Sequence, residues 1–140
     1  MNDAQIRAYD LIQNYYTTFN QGDREGMLAL LAEDVVHDIN QGEKEVGQNA
    51  FRRFLQHMDA CYVEEVRDLV VFASSCGTRA AAEFFISGQY LATDQGLPPA
   101  HGQKYYLRVG AFFELREGRI ARVTNYYNLQ DWLRQVGANG

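Results

Sequence analysis

Three histidines, at positions 37, 57 and 101, are the side chains of this chain whose ordinary pKa puts a proton in play near neutral pH. Their spacing fits no metal-ligand pattern, and there is no glycine-rich phosphate loop or Gly-x-Ser-x-Gly elbow, so neither a metal nor a cofactor is expected. His37 stands in Asp34-Val35-Val36-His37-Asp38-Ile39, which reads as extended. If Val35, His37 and Ile39 share the inward face, His37 is an imidazole in a largely apolar cavity. It could then serve as a general base, provided an electrophilic partner holds the charge it generates. The alternative is a core histidine bonded to a neighbouring hydroxyl or amide. Asp38 is either a second base or, with Asn40, a solvated strand end. His57 reads as solvent-facing or set at a rim, and His101 lies in a loop that could close over a pocket.

Hydroxyl partners are abundant: aromatics make up 13% of the chain, with 9 Tyr, 8 Phe and 1 Trp. Tyr15 and Tyr16 are consecutive and cannot share one helical face, so one should pack while the other looks toward the cavity mouth. Cys61 and Cys76 are expected as free thiols.

A single domain has to position these groups. The chain has 140 residues, 46% hydrophobic and 22% charged, enough to bury a core without disulfides or metals. A net charge of −5, with basic residues scattered rather than gathered in a stripe, argues against a nucleic-acid partner. No run approaches the roughly 18 apolar residues of a membrane helix, and the start has neither a basic nor an apolar signal region. A cytoplasmic protein with no membrane partner is expected.

Ile6, Tyr9, Ile12, Tyr16 and Phe19 recur at helical spacing, with Tyr15 on the shoulder of that face, and the helix should stop near Gly22. Asp23 can cap a short helix with Met27, Leu30 and Leu31 inward. A strand over 34–39 ends at a turn at Gln41-Gly42. Phe51, Phe54, Leu55 and Met58 define a third helix. Four long strands follow, over 62–73, 78–91, 104–115 and 119–128, with a Pro-Pro loop before the third. Leu129, Trp132, Leu133 and Val136 give a closing helix before a polar tail. On the strand 119–128, period two places Asn125 and Tyr127 on one face. Glu83 should face outward as a cross-strand partner of Arg108 or Lys104. The order indicates an α+β fold with helices on one face of a curved, mainly antiparallel sheet.

Tyr15-Tyr16-Thr17-Thr18-Phe19-Asn20-Gln21-Gly22-Asp23, Leu30 to Asp38, and Gly47 before the third helix resemble the nuclear transport factor two-like superfamily, in its SnoaL-like, ketosteroid-isomerase-related branch. The segments 111–120 and 125–132 also look like the end of limonene epoxide hydrolases. The resemblance implies one cone-shaped, cystatin-like domain over 1–140, with a deep apolar pocket for a small hydrophobic molecule and a homodimer, here expected through the outer sheet face. Tyr15, five residues before Asn20, matches the isomerase tyrosine that donates to the substrate oxyanion. The isomerase base falls at Ile39, with Asp38 one residue short, so Asp38 reaches that place only through a β-bulge. The second isomerase donor falls at Ala111 or Gly110, where no acid stands. Phe84-Phe85-Ile86 and Asn125 occupy the places of the hydrolase Arg-x-Asp and final Asp, and His37 that of its first-strand Tyr.

The function this implies is cofactor-free proton transfer, as in an isomerase, cyclase or dehydratase, on a small hydrophobic carbonyl or cyclic compound. His37, Tyr15 and Asp38 form the candidate catalytic set. Asn125, Tyr127, Phe84, Ile86, Ala111 and Met58 form the candidate ligand wall. The alternative is a non-catalytic small-molecule-binding or dimerisation module. Epoxide hydrolysis is disfavoured because Asn125 stands where a carboxylate is needed.

Overall fold

The computed structural model describes residues 1–137, so the end of the polar tail at 138–140 lies outside the described residues. α1 (Asp3–Asn20) opens with a capping box in which the Asn2 side chain accepts from the Gln5 backbone and the Gln5 side chain accepts in return from the Asn2 backbone. Its buried positions include Ala8, Ile12, Tyr15 and Tyr16, whereas Ile6 is exposed. The apolar stripe is therefore rotated from the expected one and runs through Tyr15 itself. An inward stripe wider than the 100° between successive residues takes in both tyrosines.

Asp23 caps α2 (Arg24–Ala29) by accepting from the Gly26 N–H at 2.8 Å. Met27 and Leu28 are buried there, and Leu31 already belongs to β1 (Leu31–Asp38). A short β2 (Lys44–Val46), which has no apolar alternation to announce it, pairs antiparallel with β1. Gly47, at φ 99°, then turns the chain into α3 (Gln48–Cys61), in a conformation that favours glycine.

The remaining strands are β3 (Tyr62–Ala73), β4 (Arg79–Tyr90), β5 (Gln103–Arg116) and β6 (Arg119–Tyr127), closed by α4 (Leu129–Gly137). They form one six-stranded sheet in the order β2-β1-β6-β5-β4-β3. It is mixed, since β1 runs parallel to β6 while every other pair is antiparallel. The register of β3 on β4 shifts between Arg67 and Val70, where Asp68 takes φ 55°, and such bulges bend a strand.

The core lies on the inward face, against the helices. β5 shows the pattern most plainly: Tyr105, Leu107, Val109, Ala111, Phe113 and Leu115 are buried in strict alternation. Fully burying each of the large ones stabilises the fold by about 1.5–3 kcal/mol. Glu83 does face outward, but it stands opposite Gly110 and Val70, and Arg108 instead lays its guanidinium over the Phe85 ring.

Asn20, at the end of α1, ties that helix to the edge strand β3. Its amide donates to the Val66 carbonyl at 2.9 Å and accepts from the Val66 N–H at 2.8 Å, satisfying an otherwise unpaired strand edge. Asn20→Ala should therefore cost about 1–3 kcal/mol in urea denaturation and speed amide exchange at Val66. An unchanged midpoint would remove this contact from the stabilising set.

Candidate active site

Between the inward sheet face and the helices lies a cavity of about 430 Å³. α1 contributes Tyr15 and Tyr16, and α3 contributes Phe54, Leu55 and Met58. From the sheet come His37, Phe84, Ile86, Asn125 and Tyr127. Of the expected ligand wall only Ala111 is missing: it is fully buried, between Ala82 on β4 and Asn125 on β6.

The placement of His37 follows from register. β1 meets β6 with His37 opposite Val123 and Asp38 opposite Thr124, and the irregularity in this pairing falls earlier, between Leu31 and Val36. No bulge intervenes between His37 and Asp38, so the two side chains take opposite faces. His37 turns inward, 3% exposed, with its ring 4.7 Å from that of Phe51 and 4.5 Å from that of Phe54. Burial lowers its pKa from 6.5 to about 4, against a smaller opposing pull from Asp38. At neutral pH it is an uncharged imidazole. Its Nδ1 is buried with no hydrogen-bond partner, so the protein does not hold the ring in one tautomer.

Asp38 is a correction to the expected catalytic set. It borders the cavity rim, but its carboxylate accepts from Arg122 at 2.6 Å and from Thr124 at 2.8 Å, on the side of the sheet away from His37. Burial pushes its pKa up, yet these hydrogen bonds and the Arg122 charge outweigh that and hold it below the usual range. So paired, its carboxylate is held in the ionised form.

Tyr15 and Tyr16 both reach the cavity, their rings 5.2 Å apart and edge to face, so the expected division between one tyrosine that packs and one that looks toward the cavity mouth does not hold. Burial raises the pKa of each phenol, with Arg24 pulling slightly the other way at Tyr15. Both remain neutral O–H donors. The Tyr16 hydroxyl is buried without a partner.

A SnoaL-like domain model matches residues 12–123. The chain belongs to the SnoaL-like family. Among solved structures, a candidate polyketide cyclase from Pseudomonas putida shares 55% identity over 93% of this chain and 98% of its own, with a TM-score of 0.92. A second candidate polyketide cyclase, from Xanthomonas campestris, shares 55% identity over 96% of this chain and 100% of its own, at a TM-score of 0.94. An epoxide hydrolase from M. tuberculosis, resembling limonene epoxide hydrolase, is similar in fold alone: 16% identity over 94% of this chain and 90% of its own, TM-score 0.75. No curated protein matches. The nuclear transport factor two-like fold is thus established for this SnoaL-like protein.

Its cavity also holds ionisable groups that sequence reasoning missed. Glu64 enters from β3, at the inward position between Tyr62 and Val66, and accepts a 2.6 Å hydrogen bond from the Tyr105 hydroxyl. Arg24 enters from α2, paired with Asp59 at 2.8 Å. Strand alternation could have flagged Glu64; nothing local flags Arg24.

The loop over 91–102 also reaches the cavity, through Asp94, Gln95 and Leu97. Asp94 accepts from the Tyr62 hydroxyl at 2.7 Å and meets His57 Nε2 at 2.8 Å, while the Tyr90 hydroxyl accepts from the Asp94 N–H and donates to the Pro98 carbonyl. His57 is therefore a rim residue holding the loop, and His101 is exposed outside the cavity wall. His57, Cys61 and Asp94 bring potential metal-ligand atoms within 4.8 Å of one another, a grouping in which one helical turn separates the His from the Cys.

The lowered His37 pKa has a measurable consequence. Above about pH 6.5 the imidazole is neutral in both folded and unfolded chains, and its contribution is intact. As pH falls toward 4 the unfolded chain takes up the proton first, and on the order of 3 kcal/mol of stability is lost over that interval. His37→Gln should flatten this part of the curve of stability against pH. Equal slopes for both proteins would contradict the buried neutral imidazole.

Proposed function

We propose that the cavity performs cofactor-free proton transfer on a small, largely apolar carbonyl or cyclic compound, as an isomerase, cyclase or dehydratase. The observation that carries this reading is a neutral imidazole set into an aromatic cavity wall together with un-ionised tyrosine donors. His37 takes a proton from a carbon next to the carbonyl. The C–H electron pair becomes the enolate C=C bond, and the negative charge moves to oxygen. The Tyr15 O–H stabilises that oxygen, and Asn125 and Tyr127 orient the ligand. Returning the proton to the same or a conjugated carbon restores His37. The two relatives at 55% identity that carry a polyketide cyclase name support chemistry of this kind.

One observation favours a second reading. No carboxylate or carbonyl backs His37 Nδ1, and burial weakens the ring's hold on a proton, which suits a polar contact in a non-catalytic binding module. Deuterium exchange separates the two. With 2-tetralone as probe in D2O, the protein should speed label uptake at the carbons next to the carbonyl, followed by NMR. His37→Gln should slow it by about 100-fold or more, and Tyr15→Phe by a similar factor. Binding of the probe without any exchange above background would favour the binding module.

The homodimer is also part of this proposal. The outer sheet face exposes Phe72, Phe112 and Tyr126, the last two 5.8 Å apart edge to face, and Phe85 stacks on Tyr106 nearby. A second copy using the same strip would bury it on both partners. Light scattering should report a dimer that Phe112→Arg converts to monomer. A wild-type monomer at micromolar concentration would count against it.

A further inference from the structure

The arrangement around Glu64 spans three neighbouring strands. Glu64 on β3 lies opposite Gly88 on β4, and Gly88 lies opposite Tyr105 on β5. The Tyr105 ring crosses over Gly88, where a Cβ would overlap it, and its O–H donates to Glu64 Oε2 at 2.6 Å. The missing side chain at Gly88 is what lets a phenol on one strand reach a carboxyl two strands away. With Oε2 engaged by Tyr105, Oε1 is the oxygen available to the cavity that Glu64 lines.

The charged and titratable groups around this carboxyl come from four elements. Arg24 of α2 favours its ionised form and Asp59 of α3 opposes it, and these two are paired with each other. Tyr105 on β5 donates to it, and Tyr127 on β6 lies close enough to feel its charge. Burial outweighs the Tyr105 hydrogen bond and the Arg24 charge, so the carboxyl pKa is raised. Arg24 acts on Tyr15 as well as on Glu64, which puts both groups within reach of one cation.

We propose that Glu64, oriented by Tyr105 across Gly88, is a second catalytic group: a carboxylic acid that binds the ligand's carbonyl oxygen through Oε1–H and protonates it during enolisation. The inference rests on the proton-transfer reading above and assigns its acid. As His37 removes the carbon-bound proton, the carbonyl π pair moves onto oxygen and takes the Glu64 proton. An enol, an imidazolium and a Glu64 carboxylate result. Reprotonation at carbon from His37 and return of the oxygen-bound proton to Glu64 restore both groups, with no other reactant. Tyr105 is a positioning residue.

The test measures 2-tetralone affinity against pH, from mildly acidic to mildly alkaline, by quenching of the single tryptophan, Trp132, which lines the cavity. The probe itself does not titrate there. Wild-type affinity should fall about tenfold per pH unit once Glu64 ionises, because a carboxylate repels the carbonyl oxygen. Glu64→Gln keeps an N–H donor and should bind with a flat profile. Tyr105→Phe removes a bond that stabilises the carboxylate and should move the break to higher pH. His37→Gln should leave the break in place while slowing deuterium exchange about 100-fold or more. A flat wild-type profile, or the same break in Glu64→Gln, overturns the proposal. If Glu64→Gln does not fold, an unmoved break in Tyr105→Phe overturns it instead. Exchange that needs His37 but shows no Glu64-dependent break removes this acid and leaves the proton-transfer reading standing. A Glu64-dependent break with no exchange in any variant removes that reading and keeps Glu64 as a ligand-binding acid.

Discussion

The parallel pairing of β1 with β6 sets His37 opposite Val123 and Asp38 opposite Thr124, and the chemistry of the cavity depends on that register. Successive residues of a strand point to opposite faces, so an imidazole and a carboxylate adjacent in sequence enter different environments. His37 meets two phenylalanine rings and loses its charge; Asp38 meets Arg122 and Thr124 and keeps its own. A slip of one residue would exchange them and bury an anion among aromatic rings, which is costly enough to make the register strongly specified.

Desolvation then acts on the most deeply buried titratable groups of the inward face. It lowers the proton affinity of His37 and raises the pKa of Tyr15, Tyr16 and Glu64. The shared direction is toward neutrality. A cavity of neutral donors and acceptors suits ligands that develop charge during reaction better than ligands that arrive charged. The two charges at the Arg24–Asp59 pair are compensated within the protein.

The polar fixtures around the cavity divide the work between walls and cover. Asn20 fastens α1 to the edge of β3, which keeps Tyr15 facing the sheet. The Asp94 cluster, reached by His57, Tyr62 and Tyr90, fastens the loop after β4 against the cavity. Both rely on side-chain groups replacing backbone partners where strands or helices end.

The sequence by itself determined the order of the helices and long strands and the alternation along β5, because periods of two and 3.6 are local properties, whereas the face His37 takes was left to the β1–β6 register. It also marked Tyr15, Asn125, Tyr127, Phe84, Ile86 and Met58, all of which line the cavity. It did not determine the three-residue β2, whose residues are too few and too exposed to show a period. The fate of Asp38 depended on the position of a bulge. The grouping of Glu64 with Tyr105 needed three strands in register and a glycine between them, and Asp94 met His57 only because the loop folds back across 37 residues. Contacts of that separation leave no local pattern; tertiary packing alone decides them, because it sets which polar groups share a water-poor space and therefore which keep their protons.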